Sequence, residues 1–356
     1  MEQFCLYPIE RTARAFPIGV DDEDFDATIL PINVIEGATI EDVSSLINAH
    51  EFEIFRPPLG TDAVRNLERI KYAIIHRFPD HDVDSSGNFI AGPELLERSQ
   101  NIVAEIAACL RLIRPTSQHT QMCWGDIKND GTLYNIAFNN PLDFVDAPQN
   151  QKLFRVRTSD LHELIFYAPL FRAAMHGPNW KYRMAVQMHE AGHFQNTNWK
   201  ARFFLWTSAL ESLFSSQTRD RQHAGSLVAS ERVKFLLGEN SPIYPPGELT
   251  SLQKNPNLTV GAVIRELYCP RNHIAHGDKV PDCYFMQLGR DDFDGGVPRW
   301  AMLVEAINFI VRQSLLTILK QGIVHHFEDG PSSQSYFTIH RLTKRDLGRD
   351  SYRCPN

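Results

Sequence analysis

From Leu161 onward apolar residues recur three and four positions apart, which predicts helices over about 161–175, 180–193, 199–215, 226–238, 258–276 and 298–325. The first 150 residues are patterned differently. Short apolar runs such as Ala27-Thr-Ile-Leu30 and Phe52-Glu-Ile-Phe55 lie among turn formers such as Arg56-Pro-Pro-Leu-Gly60 and Asp84-Ser-Ser-Gly-Asn88. That pattern reads as short strands, with one helix at about 62–77. Pro93 opens a second helix carrying Leu95, Leu96, Ile102, Val103, Ile106 and Leu110, and Pro115 closes it. The alternation from Thr120 to Phe138 around Lys128-Asn-Asp-Gly131 predicts a hairpin, and residues 141–152 read as a linker. The expected architecture is mostly α. A smaller mixed α/β domain over 1–150 precedes a helical bundle over 160–326, and 327–356 is a tail.

Composition sets bounds. With 43% hydrophobic and 22% charged residues the chain is an ordinary globular protein. No apolar signal core occupies its first 20 residues, and Glu305, Arg312, Gln313 and Lys320 interrupt its most hydrophobic helix. The expectation is a cytoplasmic protein that does not enter a membrane. Its six cysteines are scattered without a Cys-x-x-Cys pair, as in a reduced compartment. A net charge of −7 argues against a generic nucleic-acid binder but leaves room for a small basic site.

Candidate chemistry concentrates in Leu267-Tyr-Cys-Pro-Arg271-Asn272-His273-Ile-Ala-His276-Gly277, about 60 residues after Trp206-Thr-Ser-Ala-Leu-Glu211. A fixed guanidinium and an imidazole are the groups needed to cleave an RNA phosphodiester without a metal. Spacing alone says little, because Arg114/His119 and Arg157/His162 share it. Those pairs lack the adjacent Asn and the closing Gly that follow Arg271 and His276. Pro270 predicts a break at Cys269, with a short final helix carrying Arg271, Asn272 and His276. On such a helix Arg271 and His276 point about 140° apart, so two chains are expected to complete one site. Glu211 stands beside a mostly apolar face and needs a partner, for which Arg271, His276, solvent or zinc are open alternatives.

Ala209-Leu-Glu-Ser-Leu-Phe214, Glu231-Arg-Val-Lys-Phe-Leu-Leu237 and the segment from Leu267 to Gly277 resemble successive helices of HEPN domains, in particular the Apea-like group, over about residues 165–325. The resemblance implies a HEPN-like helical bundle. It also implies a ribonuclease signature on Arg271, Asn272 and His276 and a toxin or antiviral-defence role; Glu211 and His273 are candidate supporting residues, and no cofactor is expected. The family includes inactive members that only bind nucleotides or partners.

A competing signal is Met188-His189-Glu190-Ala191-Gly192-His193, a His-Glu-x-x-His run on a helix. In zinc proteases such a run supplies two ligands and a general base, and Glu211 is a candidate third ligand. Cys269, His273, His276 and Cys283 form a further metal set of non-standard spacing. The leading expectation is a homodimeric, metal-independent endoribonuclease that leaves 2′,3′-cyclic phosphates, with residues 1–150 sensing a trigger or binding an inhibitor. The alternatives are a non-catalytic RNA-binding, nucleotide-binding or dimerisation module and a zinc protease.

Overall fold

The computed structural model describes residues 2–11, 25–47, 70–79, 81–83, 89–90, 92–114, 122–138, 156–193, 198–215, 224–243, 259–280 and 299–343. Two compact units emerge, Met1–Arg172 and Ala173–Asn356.

The first unit is built on a six-stranded sheet in the order β2-β3-β4-β1-β7-β8, with every neighbouring pair antiparallel. Its strands are β1 (Glu2–Arg11), β2 (Ile32–Ile35), β3 (Ala38–Asp42), β4 (Ile70–Pro79), β7 (Cys123–Ile127) and β8 (Leu133–Phe138). A separate two-stranded ribbon joins β5 (Asp82–Val83) to β6 (Phe89–Ile90). Strand alternation separates two faces. Phe4, Leu6, Ala73, Ile75 and Leu133 belong to one buried cluster. On the other, the long helix α1 (Gly92–Ile113) packs on β1 and β4. There its Ser99 hydroxyl lies 2.8 Å from His76 Nδ1, and Arg111 donates to the Tyr7 hydroxyl. The Lys128–Thr132 turn closes the hairpin of β7 and β8, with Gly131 at φ +87°, a left-handed value that favours glycine.

Several expectations are corrected here. The stretch expected as a helix over 62–77 is, from Ile70, the inner strand β4; residues 62–69 lie outside the described set. Tyr72, Ala73, Ile74 and Ile75 are all buried, because β4 is covered on both faces, and a continuous apolar run fits helix and strand equally well. Ala27–Ile29 is a 3-10 turn capped by Asp26 rather than a strand. The chain is therefore mixed, with a large antiparallel sheet in its first unit and helices in its second. The expected mostly α chain, a HEPN-like helical bundle behind a smaller domain, is not its architecture.

The unit boundary falls inside α2 (Thr158–His176) rather than between 150 and 160. Asp160 meets Arg114 of the segment after α1 at 3.3 Å, and Glu105 meets Arg172 at 3.2 Å, so most of α2 belongs with the sheet. The expected linker at 141–152 lies outside the described residues.

In the second unit α4 (Trp199–Phe214) packs against α3 (Trp180–Ala191), α5 (Ala224–Leu237), α6 (Val260–His276) and α7 (Arg299–Lys320). Phe203, Trp206, Leu210, Leu213 and Phe214 of α4 are buried. The expected tail is also corrected. Val324–Phe327 forms a 3-10 turn and Gly330–Ile339 forms α8, and Phe327 and Phe337 are fully buried, each about 6 Å from the Phe214 ring. Arg232 is buried beneath them, donating to the carbonyls of Phe214 and Leu342 and to Gln334 Oε1, with its guanidinium 4.3 Å from the Phe337 ring centre.

Candidate functional site

Helix α6 begins at Thr259, whose hydroxyl accepts the Ala262 N–H, and runs unbroken to His276. Pro270 lies inside it, so the expected division at Cys269 is corrected. The proline costs one ladder bond, because residue 266 receives no N–H from it. The helix closes on Gly277 at φ +76°. Gly277 N–H reaches the Ile274 carbonyl at 3.2 Å and Asp278 N–H reaches that of His273 at 2.8 Å, a paired termination that fixes the last turn.

That turn sets the side chains. Arg271 faces α4, where its Nη2 donates to Glu211 Oε2 at 2.7 Å and its guanidinium lies 5.4 Å from the Phe204 ring centre. Phe204 and Glu211 are two turns apart on α4 and so share a face. Arg271 Nη1 reaches Asn272 Oδ1 at 3.3 Å, while its Nε is buried without a hydrogen-bond partner. Partial burial pushes the Glu211 carboxyl up from its usual range, and the charge of Arg271 opposes that shift. The structure thus brings together Arg271, Asn272 and Glu211. It does not bring His276 to them: this residue ends the helix, exposed, with no hydrogen-bond or ion-pair partner among the described residues. Five residues of helix turn it about 140° from Arg271. His273, one turn before the cap, lends its carbonyl to the termination.

The His-Glu-x-x-His run has a packing role. His189 is 1% exposed on α3, with Nε2 3.0 Å from Asn308 Oδ1 and 3.4 Å from His193 Nε2. Glu190 Oε1 lies 3.4 Å from His189 Nδ1 but makes no aligned hydrogen bond to it. Trp206 Nε1 donates to the His189 carbonyl at 2.9 Å across Gly192, where any Cβ would overlap the indole. Among the described residues no group of three or more His, Cys, Asp or Glu is placed to hold a metal, and Glu211 pairs with Arg271 instead. Of the Cys269, His273, His276 and Cys283 set, the Cys269 side chain and the whole of Cys283 lie outside the described residues. Cys5, Cys109 and Cys123 are free and buried, and burial pushes the Cys5 thiol up to about 12.

A cleft of about 470 Å³ opens beside Glu211, between α3, α4 and the start of α8. Trp180, Met184 and Met188 supply apolar surface, and Lys181, Glu211 and Asp329 supply charge. Lys181 is 5% exposed and donates to the Ser215 carbonyl at 3.0 Å; burial pushes its ammonium down to about 8, helped by Arg232 and opposed by Asp329. Sequence reasoning missed this cleft, whose walls come from residues more than 140 positions apart.

Among the described residues no helix is long and apolar enough to cross a membrane. Comparison with known protein families, with curated proteins and with solved structures gives no match to this chain.

Proposed function

We propose that the chain is a metal-independent endoribonuclease of the HEPN type, working through Arg271 and His276. The observation that carries this reading is the α6 terminus. Arg271 is held by Glu211 above the Phe204 ring, and an open imidazole follows on the last helical residue. Arg271 stabilises charge on the phosphorane-like transition state. His276 takes the proton of the ribose 2′-OH as that oxygen attacks phosphorus, or protonates the leaving 5′-oxygen. The products carry 2′,3′-cyclic phosphate and 5′-hydroxyl ends. Because the two groups diverge around one helix, the active unit is a homodimer in which Arg271 and His276 of different chains share a phosphate. Asn272 contacts that phosphate, and His273 supports it. The reading places the enzyme in the cytoplasm as a toxin or antiviral-defence effector, with residues 1–150 binding its trigger or inhibitor.

The Glu211–Arg271 pair also favours a second reading, a non-catalytic module that binds RNA or nucleotides or dimerises, since a paired guanidinium has a structural use. Incubating the purified protein with mixed cellular RNA in EDTA separates the two. The nuclease reading expects cleavage to persist under chelation, leave cyclic phosphates, and drop by about 10²–10⁴ in His276→Ala and by about 10²–10³ in Arg271→Ala. Uncut RNA with the wild type would favour the binding module, and cleavage at the wild-type rate by both variants would remove the site.

A further inference from the structure

We infer that the cleft between α3, α4 and the start of α8 is a guanine-binding subsite, which places the base next to the phosphate-binding Arg271 and makes the enzyme cut beside guanosines. This rests on the reading of Arg271 as a phosphate-binding group, and it goes beyond that reading by naming the base.

Size and charge select the occupant. A volume of about 470 Å³ suits one nucleoside rather than a length of backbone. Three acidic residues, Glu211, Glu328 and Asp329, the last also capping α8 by accepting the Ser332 N–H, line the cleft with a single lysine, Lys181, so a phosphate is disfavoured inside and a neutral base is not. Trp180 begins α3 at the cleft wall with half of its surface exposed (50%), a flat aromatic face on which a base stacks.

The polar groups select the base. Glu211 gives Oε2 to Arg271, and its other oxygen has no partner among the described residues. Its carboxylate calls for hydrogen-bond donors, and Lys181, which gives one of its three hydrogens to the Ser215 carbonyl, keeps two for an acceptor. Guanine offers both on one edge, two adjacent donors at N1–H and N2–H2 and an acceptor at O6. Adenine, cytosine and uracil each lack the adjacent pair of donors. Ser208 lies on the same wall, a hydroxyl residue suited to the ribose, while the Ser212 hydroxyl is engaged by the Lys181 carbonyl.

Position links the cleft to the chemistry. Glu211 lines the cleft while lying 2.7 Å from Arg271, so a base held there leaves its own phosphate within one nucleotide's reach of the guanidinium. One carboxylate would then hold both the cation and the base.

The test is calorimetric titration of the full-length protein with guanosine, adenosine, cytidine and uridine, free of phosphate. The proposal expects guanosine to bind at least tenfold tighter than the others. Trp180→Ala should weaken it by about tenfold or more, and Trp180→Phe, which keeps a stacking face, should retain most of the affinity. Equal binding of all four nucleosides, or of none, overturns the subsite. Tighter binding of an arginine-containing peptide than of guanosine also overturns it, since the acidic wall would then hold a guanidinium. The two proposals fail separately. Guanosine binding with uncut RNA would sink the nuclease and leave the subsite, whereas EDTA-resistant cleavage without guanine preference would do the reverse.

Discussion

Glu211 and Arg271 stand 60 residues apart in sequence and 2.7 Å apart in space, tying α4 to α6 with both side chains partly exposed, at 32% and 25%. Solvent screening keeps such a pair modest, so a double-mutant cycle with Glu211→Gln and Arg271→Met is expected to give a coupling of about 1 kcal/mol. Removing the cation alone is more informative. In Arg271→Ala the carboxyl of Glu211 keeps its burial and loses the charge that opposed the upward shift. A carboxyl raised in the folded state binds more protons there than in the unfolded chain, so stability falls as pH rises through the window above its ordinary 4.5. Urea unfolding between pH 4 and 7 should show that fall more steeply in Arg271→Ala than in wild type. Parallel curves would mean that the pair does not hold Glu211.

Lys181 gives the opposite dependence. Its folded-state value of about 8 lies below the ordinary 10.5, so across that window the unfolded chain holds a proton that the folded chain has released. Stability therefore rises with pH between those limits, by up to about 1.4 kcal/mol for each unit crossed. Lys181→Met lacks this group and should lack that part of the slope. Identical slopes for the two proteins would show that the ammonium is not held in a dry site.

Gly192 tests the packing role of the His189 region. A methyl group at this position would overlap the Trp206 indole, which sits there to donate to the His189 carbonyl. Gly192→Ala should cost about 1–3 kcal/mol in chemical denaturation and alter the Trp206 environment in near-ultraviolet circular dichroism. An unchanged midpoint would contradict the close approach.

What the sequence revealed follows the range of each signal. The stripe Leu95, Val103, Ile106 and Leu110 marks α1 because a half-buried helix writes its period into its own residues. Strand β4 did not announce itself, because burial on both faces erases the alternation that distinguishes a strand. Pro270 predicted a break that α6 does not make; the missing bond leaves the last turn held by the Gly277 closure. Phe327 and Phe337 looked like a tail, since only their meeting with Phe214 shows that they are core. At the candidate site, Glu211 beside an apolar face calls for a partner in the sequence itself, and the structure supplies Arg271. The cleft had no local signature, because Trp180, Glu211 and Asp329 converge only after folding.

Divergence along α6 leads to the sharpest expectation for activity. Arg271 is turned inward to α4, and His276 is exposed at the helix end, about 140° around the axis. One chain acting alone would offer a phosphate either its cation or its proton carrier. A two-fold axis near the α6 terminus would supply both, and it would also gather two guanidinium groups where a single chain of net charge −7 offers little attraction for RNA. Mixing Arg271→Ala with His276→Ala subunits after exchange should therefore recover activity that neither variant has alone. A statistical mixture holds about half heterodimers, each with one intact site, so recovery should approach a quarter of the wild-type rate. Sedimentation of the active wild type as a monomer, or a mixture no more active than its parts, would refute the shared site.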